Sequence, residues 1–413
     1  MNSGFLLSSP NNASSSLTTT GGNLSRSKHY STHNIYFASS YAAKASQNRS
    51  KTKIKYTAMQ LQHPSLNHHN KWIEGESTYQ ECKKKYVVQA VSESAFDSEP
   101  HASDPKMTYL DSVKDLLAII YKFSYPYAMI GIILCAVSSS LLTVEKLSDI
   151  SPSFIVGVLQ AAIPHVMIAI YSNSINQVFD LQIDRINKPH LPLASGQLST
   201  KTVAIIAASF LIMSFGLSWS IGSWPLIWNV ICTFSIWTAY SMNAPLLRWK
   251  KNPLLAAFCM VSSWGFVLPI TFYLHMQTFV LKRPSVFPTS LIFVVAFMSL
   301  YSLGMALAKD IPDVEGDKLC GVDTFSIRWG PKQVFWICVL LFEMAFGIAL
   351  LGGATSPNPW VKLITLVGNT ALASVLWYQA KSTDLSNPAS GQSFYMLNWK
   401  LLYAGYILIG LIR

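Results

Sequence analysis

The stretch NSINQVFDLQIDRINKP, residues 173–189, closes a long apolar run and sets two aspartates, an arginine and a lysine just past its end. Asn176, Asp180 and Asp184 recur every four residues, so on a helix their side chains drift slowly around the axis and share one face. Charge is otherwise sparse in the region, and ionisable groups at membrane depth are usually functional. The stretch therefore predicts a charged mouth on a membrane-embedded helix bundle.

Composition points the same way. Of 413 residues, 51% are hydrophobic and 12% charged, about half the charged share of an ordinary soluble domain. The net charge of +11 is split between the N-terminal region and short loops, with no continuous basic stripe, which excludes nucleic acid as a partner. Cys135, Cys232, Cys259 and Cys338 lie inside apolar runs, with no Cys-x-x-Cys pair and no histidine at zinc spacing, so they read as small hydrophobes.

No Asp or Glu precedes Glu74, whereas Arg26, Lys28, Lys44, Arg49, Lys51, Lys53, Lys55 and Lys71 are interspersed with Ser, Thr and Asn, as in SSPNNASSSLTTTGG (8–22). This acid-poor, basic leader reads as a disordered transit peptide over residues 1–75, plastid rather than mitochondrial, cleaved between about residues 60 and 100. A plain disordered tail is the alternative. A polar linker, 76–107, leads into a membrane domain over 108–413.

Apolar runs of spanning length fall at about Pro126–Leu142, Pro152–Tyr171, Val203–Ile221, Trp224–Met242, Leu254–Leu274, Pro288–Ala308, Val334–Gly352, Trp360–Tyr378 and Phe394–Leu411. The fold class is all-α: a polytopic membrane protein with a bundle of about nine transmembrane helices. Lys114, Lys122, Arg185, Lys188, Lys201, Arg248, Lys250, Lys251, Lys309, Lys318, Arg328 and Lys332 all fall on one side of alternating spans, together with the N-terminus. That is the inside face, the stroma in a plastid.

A second acidic cluster, KDIPDVEGD (309–317), follows the sixth span and supplies Asp310, Asp313, Glu315 and Asp317. Pro312 ends the preceding helix, and if a short helix restarts there, Asp313 and Asp317 share a face. The clusters follow the second and sixth spans, an even number apart, so both emerge on one side in the same orientation. This predicts a parallel repeat whose clusters face each other across the bundle. Carboxylates without His or Cys suit a hard cation such as Mg2+, held by one or two carboxylates plus substrate phosphates. Arg185, Lys188, Arg248 and Lys309 beside the acids call for a further anion, a diphosphate. A membrane substrate with such a head is most simply an isoprenoid diphosphate. One cluster alone would fit a solvated cap on a span end equally well; two on one face, with interleaved cations, make a cap the poorer account.

At these residues the chain resembles the UbiA superfamily of intramembrane aromatic prenyltransferases: NQVFDLQID is similar to its first Asp-rich motif and KDIPDVEGD to its second. NKPHLPLASGQLS and AYSMNAPLLRWKK resemble the plant homogentisate prenyltransferase branch. FSYPYAMIGIILCAVSSSLLTVEKLSDIS, FYLHMQTFVLKRP and FYMLNWKLLYAGY resemble legume flavonoid prenyltransferases, especially pterocarpan dimethylallyltransferases. The resemblance runs from about residue 108 to the C-terminus. It implies a UbiA-like nine-helix bundle in a plastid membrane, a dimethylallyl diphosphate donor, a phenolic isoflavonoid acceptor such as the pterocarpan glycinol, and neighbouring isoflavonoid-pathway enzymes in phytoalexin synthesis. Three positions depart from the pattern. Gln182 stands where close relatives carry Glu, Tyr125 replaces an Arg of the homogentisate enzymes, and VSSWGF (261–266) replaces an Arg-bearing stretch of theirs. The two lost cations fit an acceptor without the carboxylate of homogentisate.

The implied mechanism has Mg2+ held by Asn176, Asp180 and Asp184, and by Asp310, Asp313 and Asp317, with Asp180, Asp184, Asp313 and Asp317 as the catalytic acids. Arg185, Lys188, Tyr240, Arg248 and Lys309 contact the diphosphate, and bundle aromatics shield the allylic cation. His165 reads as a hydrogen-bonded residue at a Pro kink, with acid–base work as the alternative. Glu343 inside the seventh span needs a partner or a polar cavity. Asn398 and Lys400 read as packing and interface residues. Two rivals stand: a homogentisate phytyl- or geranylgeranyltransferase, and, from another class, a membrane transporter, whose acids would lie nearer mid-membrane.

Overall fold

A computed structural model describes residues 109–412; the expected transit peptide and linker lie outside them. Thirteen α-helices are numbered here in chain order. They are α1 Tyr109–Ser124, α2 Pro126–Leu141, α3 Pro152–Phe179, α4 Leu181–Asn187, α5 Thr200–Ile221, α6 Trp224–Ser241, α7 Pro253–Val280, α8 Thr289–Ala308, α9 Val314–Leu319, α10 Phe325–Trp329, α11 Pro331–Ala354, α12 Pro359–Ser382 and α13 Pro388–Ile409. There is no strand among the described residues.

Each of the nine apolar runs lies in one helix. Six helices (α3, α5, α7, α8, α11 and α12) are long and apolar enough to span alone, and α1 with α2 forms a further span bent by 63°. With α6 and α13 they close a ring in which α3 packs along α5 and α6, α8 along α7 and α11, and α13 against α12 and α2. Seven of the helices open on Pro at the first turn, where the missing N–H has no intrahelical partner to lose. The third and fourth runs are separate helices: Gly222 caps α5 with φ 74°, a left-handed turn that glycine adopts without strain.

Three features went beyond the hydropathy reading. Helix α1 precedes the first span, and the chain breaks at Tyr125, whose φ of 49° is unusual for an aromatic residue. Helix α3 runs to Phe179 rather than Tyr171, which places Asn176 inside the span. Helix α7 contains two π-helical segments, Val261–Val267 and His275–Val280. Such insertions are rare and cluster at functional sites.

The core is dominated by α8, α11 and α13, where Tyr301, Phe297, Phe342 and Phe346 are fully buried and stack on one another. Gly304 admits Phe342 so closely that a Cβ would overlap its ring.

Candidate active site

Helix α3 ends at Phe179 because Asp180 takes φ −102°, ψ 8°, yet the ladder continues. Asp180 N donates to Asn176 O at 2.8 Å, Asp184 N to Asp180 O at 2.8 Å and Lys188 N to Asp184 O at 2.7 Å. The three acid-segment positions therefore stack as the four-residue spacing predicts. Asn176 Nδ2 donates to Asp180 Oδ2 at 2.7 Å. Asp180 is 3% exposed and receives Arg248 at 2.8 Å and Lys250 at 2.5 Å from the loop between α6 and α7. Arg248 sits at φ 65°, a conformation costing about 1–3 kcal/mol for a bulky residue. Its guanidinium is held by Ser241 O, Phe179 O and Asp180, which over-determines the strained backbone.

The second segment has the same plan. Helix α8 ends at Ala308, and a short helix restarts at Val314, two residues beyond Pro312, with Asp313 at its N-cap. Asp317 N donates to Asp313 O at 3.0 Å, so these two acids stack as well. Lys309 Nζ donates to Tyr240 Oη at 2.5 Å, lies 5.0 Å from that ring's centre, and stands 3.7 Å from Asp310.

The segments meet. Lys188 Nζ pairs with Asp313 at 2.6 Å. The Asn187 amide clasps the second segment's backbone, donating to Asp313 O at 3.0 Å and accepting from Gly316 N at 3.0 Å. A Cβ on Gly316 would overlap Asn187, so glycine is needed for this approach.

Burial divides the carboxyls. It pushes Asp184 up to about 7 and, with Asp310 nearby, pushes Asp317 up to about 7. Asp180 is buried too, but Lys250 and Arg248 outweigh the desolvation and hold it below the usual carboxylate range. Burial also works to lower Lys188, and Asp313 and Asp184 overcome it, raising the ammonium well above its ordinary value.

Asn176, Lys188, Tyr240 and Lys309 open onto one cavity of about 200 Å³ that extends between α2, α3, α6, α7 and α13. Asp313 lies on the wall of an adjoining cavity of about 470 Å³, which shares Tyr125, Tyr127 and Lys188. The other acids of the two segments line neither cavity. Arg185 is exposed and on neither wall, so the structure does not bring it to the site. Gln182 is also on neither wall, so the acid missing there is not missing from the cavity.

Several wall residues carried no signal in the spacing. Tyr127, Tyr395, Trp399 and Trp264 form a connected aromatic wall, with ring centres 5.3 Å apart for Tyr127–Trp399 and 5.4 Å for Trp264–Trp399. The π-helical segment of α7 delivers Ser263 and Trp264 to it. Lys250, counted in the sequence only as a loop cation, turns out to grip Asp180. Glu343 lies off both walls, and its Oε1 is buried without a hydrogen-bond partner.

Residues 128–402 match the UbiA prenyltransferase family. This chain belongs to that family. It is 60% identical over 395 residues to glycinol 4-dimethylallyltransferase of Glycine max, with 96% of each chain covered. It is 48% identical over 410 residues to the chloroplastic naringenin 8-dimethylallyltransferase 2 of Sophora flavescens, covering 99% of this chain and 100% of that one. Homogentisate phytyltransferase 1, chloroplastic, of Arabidopsis thaliana is 47% identical over 335 residues, covering 81% and 84%. A UbiA homologue from Archaeoglobus fulgidus, solved bound to GPP and Mg2+, shares the fold with a TM-score of 0.50 at 15% identity, covering 70% of this chain and 99% of that one.

Among the described residues no three His, Cys, Asp or Glu side chains group as a ready-made metal site. The acids are oxygen donors only, and the buried Asp184 Oδ2 has no hydrogen-bond partner. That set fits Mg2+, which keeps positions for water and substrate phosphate.

Proposed function

We propose that this chain is a plastid-membrane aromatic prenyltransferase that moves a dimethylallyl group from dimethylallyl diphosphate to a ring carbon of a phenolic isoflavonoid. The acceptor is a pterocarpan such as glycinol, and diphosphate is released. The observation that carries this reading is 60% identity, across 96% of both chains, to an enzyme named for that transfer. Two parts of the wall add to it: Tyr125, which replaces an Arg of the homogentisate enzymes, and Ser263 and Trp264, from the stretch 261–266 that replaces an Arg-bearing one of theirs, line the main cavity. A neutral phenol suits this wall better than an acceptor bearing a carboxylate.

Asn176, Asp180 and Asp184 on one segment, and Asp310, Asp313 and Asp317 on the other, would hold Mg2+. When bound, the cation supplies Lewis-acid neutralisation of the diphosphate. Lys309 and Tyr240, already hydrogen-bonded to each other, present donors to the phosphate oxygens at the cavity mouth. Lys188, freed from Asp313, adds another, and Arg248 and Lys250 fix the Asp180 carboxylate. The allylic C–O bond breaks and its electron pair leaves with diphosphate. A ring carbon beside the phenol then bonds to the allylic carbon, and the ring proton passes to a carboxylate of the clusters or to diphosphate. Tyr127, Trp264, Tyr395 and Trp399 exclude water and offer π faces to the cation. The Asp-rich segments would face the stroma.

Membranes carrying the chain should prenylate a pterocarpan with dimethylallyl diphosphate in preference to geranyl or phytyl diphosphate, and should leave homogentisate unmodified. Phytylation of homogentisate at a comparable rate would replace this reading with the tocopherol one.

A further inference from the structure

We propose that His165 recognises the aromatic acceptor: its Nε2 accepts a hydrogen bond from a phenol hydroxyl at the end of the cavity remote from the acids. The inference rests on the aromatic-acceptor reading above and names the group that would read the acceptor.

A chain of hydrogen bonds sets the ring. Thr271 Oγ1 spends its one proton on Val267 O at 2.6 Å, so toward Asn229 it can only accept. The Asn229 group facing it at 2.6 Å is therefore the amide NH2. That orientation turns the Asn229 carbonyl oxygen toward His165 Nδ1 at 2.6 Å. A carbonyl only accepts, so Nδ1 carries the proton and the neutral ring keeps its lone pair on Nε2. The edge of the ring packs against Phe272, with centres 5.5 Å apart at 87°. His165 is 3% exposed, lines the main cavity, and its Nε2 has no hydrogen-bond partner among the described residues. On the cavity wall and without a protein partner, that lone pair favours an occupant that brings a donor.

Depth selects which occupant. His165 lies eleven residues before Asn176 on the same helix, roughly 16 Å along the axis at about 1.5 Å per residue. A five-carbon chain on a diphosphate held at the mouth does not span that distance. A fused-ring phenol reaching from the allylic carbon inward does. Ile132, Met260 and Thr233 supply the rest of a mixed apolar and hydroxyl wall in this cavity. Hydrogen bonds to substrate hydroxyls discriminate far more strongly than apolar fit, so His165 sets acceptor choice, with Asn229 and Thr271 as positioning residues.

The test compares a pterocarpan acceptor, glycinol, with its singly O-methylated forms, using dimethylallyl diphosphate and the full-length protein in membranes. In the wild type, methylating one hydroxyl should lower kcat/KM by roughly ten- to hundredfold. In His165→Phe that preference should collapse to near unity, with acceptor KM raised and donor KM unchanged. His165→Gln, which keeps a hydrogen-bonding end, should restore part of it. Asn229→Leu, which frees the tautomer, should weaken it, and carries the test if His165→Phe does not accumulate. A preference that survives in the variants, or a rise in donor KM instead, overturns the assignment. A wild type that prenylates no phenol at all overturns the parent reading instead.

Discussion

Lys309 and Tyr240 are the residues whose roles can be isolated most cleanly, because each touches the other and the cavity while neither belongs to an acidic stack. In the proposed reaction, Lys309→Met removes a charged donor to the departing diphosphate. It should lower kcat by about 10²–10³, the size typical of losing one such donor, while circular dichroism of the purified protein stays unchanged. Tyr240→Phe keeps the ring under the ammonium and should cost less. Most of these residues were legible in the sequence, since a cation next to an acid beyond an apolar span is conspicuous. Arg185 was the misleading one. It follows Asp184 directly, and one step on a helix turns a side chain by about 100°, so if Asp184 faces inward its neighbour faces out. Lys250 was hidden for the opposite reason: its partner Asp180 lies seventy residues back in the chain, and only the folded α6–α7 loop brings them together.

Elements α4 and α9 act as a pair because Asn187 bridges them. Asn187→Ala leaves a buried backbone N–H unsatisfied, at about 1–3 kcal/mol, and Gly316→Ala pushes the two segments apart. Both variants should need several-fold more Mg2+ for half-maximal activity with little change in acceptor KM, measured by metal titration of product formation. On the opposite side of the bundle, Arg283 ties Asp149 at 2.9 Å and Thr143 O at 2.7 Å to the end of α7. Its hydrogen bond, with those from Lys146 and Glu145, holds the Asp149 carboxyl down to about 2, from 3.8 when free. A depressed carboxyl contributes stability above its unfolded value that is lost as pH falls through the folded one. Between pH 4 and 2 the wild type should lose Tm that Asp149→Asn has already lost, so the difference between them shrinks to nothing. The existence of the spans was plain from hydropathy, since length and apolarity suffice. The bend at Tyr125, the extension of α3 and the π-helical turns of α7 were not, because each depends on what the helix packs against rather than on its own residues.

At the scale of the whole molecule, two segments of like plan, each a long span ending at an acid and a short helix, meet at one cavity mouth. The parallel spacing of the clusters anticipated that meeting, and the Lys188–Asp313 pair at 2.6 Å realises it. The aromatic wall could not be chosen in advance, because 51 of the 413 residues are Phe, Trp or Tyr (21 + 12 + 18) and only the ring of helices selects which face inward. If both segments serve one reaction, the loss of an acid from either one stops it. The most direct measurement follows diphosphate release and C-prenylated product together, in vesicles holding the wild type, Asp180→Ala or Asp313→Ala, with glycinol, dimethylallyl diphosphate and varied Mg2+. The expected result is one diphosphate per product in the wild type, dependent on Mg2+, and no turnover in either variant although both insert. Full activity in either variant, or turnover unaffected by chelation, would contradict it.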